Sequence, residues 1–564
     1  MVTHISRVPE IDYVWNSSDP AREGWPADGE EVTWKAHVRN DSDTAVNADY
    51  EWRIDGVREK TGSITIAANA TADVDVPRPW TFERHRITFQ IDPQNRVAEE
   101  SERNNSVEIS TDALSVGFWV EKSFYDYFRV HQKDLGVGST CFENWAQRAI
   151  TLYNDEATLA IYPETPNGVL DRWRLQKIVI VPDGALPLTP IPNFATMAGE
   201  PSGTQMPDRS DRTVDLQWGF RSALLNFYTD GRTTAPTNPF YIQTSLIHEL
   251  GHARYLTDVY AWNVQNAPAA HTIDIRENGS LVAGSVLMPA TGTFVHFTPE
   301  SGLMNQNYTF IDRYSAIALN LIAGQRATRG NYNDPENVGA FLNDLPAQNR
   351  LTIRDGSGEL LANADVRIYQ SVGGVDAWYA SQYDDTPDLT LRTDASGQML
   401  AGRNPFATNG PVVNYWRASN VVAIVRVAKD SRVLYGFLES RLFNLAFWRG
   451  DTEFADHDLA VGVPPCQNIS IPMLRGPAYD SEPTSPNVTL SWNAKSGATK
   501  YNVWASANGQ RPRLLVSTTD TSVTEYVPGR VYWWVEAESG GCPPRRSEAW
   551  RFTASDRPRR RAVR

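Results

Sequence analysis

The sequence predicts a multidomain chain in which an α+β unit is flanked by β-sandwich, immunoglobulin-like domains. Three observations carry that class. The chain has 564 residues, too many for one core, so three to five domains are expected. Both ends alternate apolar and polar residues in short runs separated by turn residues, which is the pattern of antiparallel sheets. Between them, Cys141 to Tyr153 and Phe240 to Leu250 carry apolar residues at helical spacing, with short apolar strands nearby.

Composition narrows the class. The chain is 41% hydrophobic and 21% charged, which suits a folded protein with polar surfaces. A net charge of −14 argues against a nucleic-acid surface. No apolar run approaches the roughly 20 residues that would span a bilayer, so no transmembrane segment is expected. The first ten residues lack the apolar stretch of an export signal. There are three cysteines. Cys466 and Cys542 flank the last segment and could pair in an oxidising compartment, while Cys141 has no evident partner.

The elements follow in order. Glu31 to Arg39 alternates strictly, Tyr50 to Val57 follows a polar turn, and Arg86 to Asp92 leads to an acidic run, Glu99-Glu-Ser-Glu-Arg-Asn-Asn105. Cys141 to Tyr153 reads as a helix, Lys177 to Val181 as a buried strand closed by Pro182-Asp-Gly184, and Asp215 to Phe220 as another strand. Residues 182–212 are rich in Pro, Gly and Asp and read as a long loop. Asp312 to Ile322 is helical in pattern, and residues 331–345 form a polar connector. Strands return at Arg350, Ala364, Leu389, Val421 and Ser431, and again at Val488, Lys500 and Arg530. Residues 556–564 are a basic tail, expected to be disordered.

One stretch carries chemistry. His248, Glu249 and His252 spell H-E-x-x-H inside an apolar run. Residues four apart share a helix face, so both imidazoles can reach one ion with Glu249 beside it. Such donors suit zinc, with a third protein ligand and a water completing the shell. Glu249, adjacent and not a ligand, would take a proton from that water as it attacks a carbonyl carbon. A merely polar surface would account for the three residues, but the flanking Leu246, Ile247 and Leu250 argue for burial.

Resemblances extend this reading. Arg39-Asn40, Ile54-Asp55-Gly56, Asp92-Pro93 and the 99–105 run make residues 8–114 resemble the CARDB module, a bacterial immunoglobulin-like adhesion domain. Its acidic run would serve a calcium or ligand site in one reading, and a spacer sandwich in the favoured one. Residues 115–330 resemble the metzincin metalloproteases: Asp258 stands six residues beyond His252, where that family places its third ligand, and Pro299 to Asn305 resembles its Met-turn with Met304 beneath the metal. The resemblance implies an α+β zincin catalytic domain, a Zn2+ cofactor, and a protein or peptide substrate.

The family's glycine after the helix is Tyr255 here. A helix continued to Asp258 would turn that carboxylate about 240° away from His252, so the chain must break near 255–257. His271, Asp274, Glu277 and His296 remain alternative ligands. Tyr308 lies four residues after Met304 and is not assigned a role. Residues 346–462 resemble carboxypeptidase-regulatory or transthyretin-like sandwiches, and residues 465–555 resemble fibronectin type III, with Tyr532 as corner tyrosine. The implied protein is a secreted or surface metalloendopeptidase acting on a cell-surface or extracellular target. The alternative is a non-catalytic adhesin or scaffold with a degenerate zinc site.

Overall fold

The computed structural model describes the chain outside residues 13–23, 100, 132–140, 187–210, 226–240, 255, 263, 268–269, 272–273, 276–280, 283–293, 298, 306–307, 325–339, 372–382, 384–385, 411–413, 416–417, 464–469, 508–509, 540–541 and 556–564. The expected long loop therefore lies mostly outside the described residues, as do Tyr255, Glu277, Cys466 and the basic tail. The side chain of Cys542 does too, so the expected pairing with Cys466 falls outside as well.

The N-terminal module is a two-sheet sandwich. Its strands are β1 (Val2–Val8), β2 (Glu31–Asn40), β3 (Val46–Ile54), β4 (Val57–Ile66), β5 (Ala70–Pro79), β6 (Arg86–Ile91) and β7 (Ser106–Ser110). One sheet runs β1-β2-β5 and the other β4-β3-β6-β7. Alternation decides the faces: Val32, Trp34, Ala36 and Val38 of β2 all point into the core, against Trp52 and Phe89 of the second sheet. Asp55 and Gly56 both have positive φ, which is what a tight β3–β4 hairpin requires. On the outer face a polar chain ties three strands: the Ser6 hydroxyl meets His37 Nε2 at 2.8 Å, and His37 Nδ1 meets Asp73 at 2.9 Å.

The chain passes directly into a second unit. It contains β8 (Leu114–Glu121), α1 (Lys122–His131), α2 (Phe142–Leu159), β9 (Trp173–Val181), β10 (Leu216–Phe220), α3 (Tyr241–His252), the short strands β11 (Val264–Ala267) and β12 (Phe294–Phe297), and α4 (Arg313–Leu321). The strands β10-β8-β9 form a parallel sheet with β8 at its centre. Phe124, Phe128, Phe142, Trp145 and Phe220 interlock under it, with ring centroids 4.8–6.0 Å apart. Removing the fully buried Trp145 ring would cost roughly 3–5 kcal/mol.

A second sandwich follows. Its strands are β13 (Gln348–Asp355), β14 (Asp365–Tyr369), β15 (Leu389–Arg392), β16 (Gln398–Gly402), β17 (Val422–Lys429), β18 (Arg432–Glu439) and β19 (Phe454–Val461), with helix α5 (Ser440–Trp448) between the last two. The sheets run β16-β13-β19 and β15-β14-β17-β18. Its core is continuous with that of the second unit, one apolar cluster reaching from Leu114 to Val461. Asn444 of α5 seals the join: its fully buried amide donates to the carbonyls of Phe341, Leu342 and Asp344 and accepts from Tyr314. The expected polar connector thus contributes buried backbone at its end.

The C-terminal module comprises β20 (Leu474–Gly476), β21 (Asn487–Trp492), β22 (Lys500–Ala507), β23 (Arg513–Thr518), β24 (Ser522–Tyr526), β25 (Gly529–Ser539), β26 (Cys542–Arg546) and β27 (Trp550–Ala554). Sheets β20-β21-β24 and β23-β22-β25-β26, with β27 also on β25, enclose Leu490, Trp492, Val503 and Trp533. Tyr532 accepts a hydrogen bond from the Arg530 guanidinium at 2.6 Å. Among the described residues no helix is long and apolar enough to cross a membrane.

The modules are docked onto one another. Gln176 of β9 completes the edge of β1, its side-chain amide exchanging two 3.1 Å hydrogen bonds with the Arg7 backbone. Arg39 of β2 reaches Glu143 of α2 at 2.9 Å and the Tyr125 hydroxyl at 2.6 Å.

Candidate metal centre

Helix α3 presents its apolar residues and its motif to the same interior. Leu246, Ile247 and Leu250 are fully buried, and His248, Glu249 and His252 are buried beside them. Continuing helix would carry Asp258 away, but the last turn closes early. Arg254 N–H donates to the Gly251 carbonyl at 2.9 Å and Leu256 N–H to the same oxygen at 3.2 Å. Arg254 then anchors the exit, its buried guanidinium bonding Asp171 and the Ile322 carbonyl. Asp171 also accepts from Gly324 N–H at 2.9 Å. No local pattern points to Arg254, because its partner lies 83 positions away.

This break brings Asp258 back. Its Oδ1 lies 3.0 Å from His248 Nε2 and 3.1 Å from His252 Nε2. The three donor atoms fall within 4.8 Å of one another, and all three residues are buried. Four ligands about 2.0–2.1 Å from a tetrahedral zinc would stand roughly 3.3 Å apart, so these separations suit one small cation.

The other ring nitrogens fix the tautomers. His248 Nδ1 donates to the Leu303 carbonyl and His252 Nδ1 to the Leu256 carbonyl, each at 2.8 Å. Both Nε2 atoms therefore face the carboxylate, either as lone pairs or as N–H donors of imidazolium rings. Two lone pairs against a carboxylate oxygen would repel, so the arrangement calls for protons or a metal ion between them. In the metal-free protein, burial opposes protonation of His248, but the Asp258 hydrogen bond and the Asp258 and Glu249 charges outweigh it and raise its pKa to about 9. Burial likewise opposes ionisation of Asp258, yet the two histidines hold it far below the usual carboxylate range.

Glu249 completes the set. Burial, reinforced by Asp258, pushes its pKa up against the two histidines, and its buried Oε2 has no hydrogen-bond partner among the described residues. Such an orphaned oxygen costs about 1–3 kcal/mol unless a proton donor or water meets it.

Met304 lies under the helix, fully buried. A Cβ at Gly251 would stand 2.7 Å from Met304 Sδ, so glycine is what permits this approach. The turn closes through Asn305 N–H to Gly302 O at 3.0 Å, Val259 N–H donates to Met304 O at 2.9 Å, and Leu303 supplies the carbonyl on His248. Met304, Asp258 and His248 are thus fastened together.

The remaining candidates divide. His271, Asp274 and His296 lie on short strands whose relevant side chains are outside the described residues. Tyr308 stacks on Phe310 with centroids 5.8 Å apart and faces Arg545 and Glu548. Cys141 is buried at the N-terminus of α2, and burial pushes its thiol pKa up, which makes it unreactive. A second acidic group, Asp92, Glu99 and Glu102, also brings three oxygens within 4.8 Å.

The architecture is that of a multidomain, β-sandwich-rich protein. Residues 14–109 match the CARDB family, so the N-terminal sandwich is a CARDB domain, as its resemblance implied. No curated protein matches the chain. Among solved structures, it is similar to the CARDB domain of a Pyrococcus furiosus protein in complex with di-metal ions, at 20% identity over 15% of this chain and 77% of that one, TM-score 0.14. It is also similar to a domain of a putative cell surface protein from Methanosarcina acetivorans, at 17% identity over 19% and 87%, TM-score 0.14. A third likeness is to the FN1–FN3 domains of chicken CNTN1, at 9% identity over 34% and 57%, TM-score 0.15.

Proposed function

We propose that this chain is a secreted or surface zinc-dependent metalloendopeptidase whose α+β zincin unit, residues 115–330, hydrolyses peptide bonds. The observation that carries the reading is the convergence of His248, His252 and Asp258 on one point, with a buried carboxylate oxygen of Glu249 that has no partner among the described residues. His248, His252 and Asp258 would hold the ion, with the Leu303 and Leu256 carbonyls fixing both rings. Zinc, when bound, supplies a Lewis acid that polarises a carbonyl and lowers the pKa of water. Glu249 takes the proton of the attacking water and passes it to the departing amine, so water is added across the C–N bond with no net change at the carboxylate. Its raised pKa suits both halves of that exchange. Met304 supports the ligand helix from below, and the flanking sandwiches direct the unit to an extracellular or cell-surface protein.

A second reading, a non-catalytic adhesin that keeps a metal site, is favoured by the CARDB domain and the sandwiches around it. One experiment separates them: zinc content and cleavage of a peptide library by the full chain and by Glu249→Gln. The peptidase reading expects one zinc per chain in both proteins and a roughly 10²–10⁴-fold loss of cleavage in the variant. Absence of zinc from carefully reloaded protein, or equal cleavage by both, would end that reading. One zinc with no cleavage by wild type leaves the adhesin.

A further inference from the structure

We infer that the C-terminal module is a working part of the metal centre: Arg545 and Arg546 of β26 are positioning residues that hold the Met304 turn and, through Leu303, the His248 ring. The inference rests on the proposed role of that centre. Arg545 donates to the Ser301 hydroxyl at 3.1 Å, immediately before the turn. The Arg546 guanidinium lies 5.0 Å over the Phe310 ring and 4.5 Å over Trp534, so one cation joins the two modules through both rings. The Phe310 carbonyl receives Leu303 N–H at 2.8 Å, and the Leu303 carbonyl receives His248 Nδ1–H at 2.8 Å. Two residues, Phe310 and Leu303, therefore separate Arg546 of the C-terminal module from a metal ligand.

A second contact fixes the far side of the same loop. Thr309, next to Phe310, donates to Glu156 of α2 at 2.8 Å, and Glu156 faces Arg546 at 3.7 Å. Glu156 is buried on a helix that packs on α3, so Thr309 and Phe310 are gripped between α2 and β26. Leu159, Trp534 and Ala549 form an apolar seam beside this grip. Elsewhere on the same interface Arg551 bonds Asp155 at 2.8 Å and also pairs with Asp480. Those contacts dock the module without touching the Met304 turn, and they supply a control.

The test compares Arg545→Ala, Arg546→Ala and Arg551→Ala in the full chain, by deuterium uptake around Leu303 in chelator-treated protein and by the rate of zinc loss to a chelator in reloaded protein. The expected result is faster uptake around Leu303 and zinc loss roughly 10–100-fold faster for Arg546→Ala, with a smaller change for Arg545→Ala. Arg551→Ala is expected to lower thermal stability while leaving both readouts as in wild type. Equal effects of Arg546→Ala and Arg551→Ala, or no change at Leu303 in either, would overturn the inference. If Arg546→Ala does not fold, Arg545→Ala at the half-buried rim decides it by the same two readouts. Wild type that binds no zinc would overturn the metal reading and the coupling to it, while uptake at Leu303 would still report the grip separately.

Discussion

Two regions of this protein each gather three potential ligands, and they differ in what their ligand atoms already touch. In the CARDB domain, Asp92 accepts from Arg96 N–H at 3.0 Å and Val97 N–H at 2.8 Å. One Asn105 amide bridges Glu99 and Glu102, at 2.6 and 2.9 Å. Both glutamates are exposed, so water screens what charge remains. In the second unit the donors are buried, their outer nitrogens are taken by carbonyls, and the inner atoms face one another. The acidic cluster spends its oxygens on capping its own loop. The buried donors face one another and call for protons or a cation between them.

The largest expected effect breaks the second region alone. His252→Ala should lower zinc affinity by more than the roughly 10–100-fold typical of losing an outer-shell partner, while Glu99→Gln with Glu102→Gln leaves zinc content unchanged. Mass-spectrometric metal analysis reads both, and a fall of zinc in the glutamate variant would reverse the contrast.

The next expectation concerns pH. The folded His248 pKa, about 9, exceeds its ordinary 6.5, so its contribution is complete below pH 6.5 and is lost as pH rises through about 9. Asp258 is depressed from 3.8, so its contribution is present above that value and lost in stronger acid. Chelator-treated protein should therefore melt several degrees lower at pH 9 than at pH 6.5. Zinc-loaded protein should lack that fall, because the metal binds the unprotonated rings. Thermal melts in both states check it.

The smallest expected effect is Gly251→Ala. Contact with Met304 should cost roughly 1–3 kcal/mol, offset by up to about 1 kcal/mol of improved helix propensity. Denaturant unfolding measures the net change, and an equivalent substitution at the CARDB domain's exposed Gly29, where φ is positive and the space is open, tests strain without crowding.

Much of this was legible in the sequence because it is periodic or local. The β2 and β13 strands alternate, and the H-E-x-x-H face needs only helical geometry. What escaped was covered on both sides or assembled from afar. Strand β8, the centre of a parallel sheet, is buried nearly throughout, so it shows no alternation, and no strand is legible there from the sequence. Helix α5 sits between strands of a sandwich and was read as part of that sandwich. Asp258 could be nominated by spacing, but the turn that delivers it depends on Arg254 and distant Asp171. The grip of β26 on the Met304 turn joins positions 244 apart, beyond any local pattern.

Helix α2 meets the CARDB domain at Glu143, the C-terminal module at Asp155 and Glu156, and α3 along its length. A strut shared in this way limits how such a chain can evolve by shuffling. Replacing either end module with an unrelated sandwich would remove its arginine and strand a carboxylate on α2. Exchange of the CARDB domain should therefore go with change at residue 143, and exchange of the C-terminal module with change at residues 155 and 156.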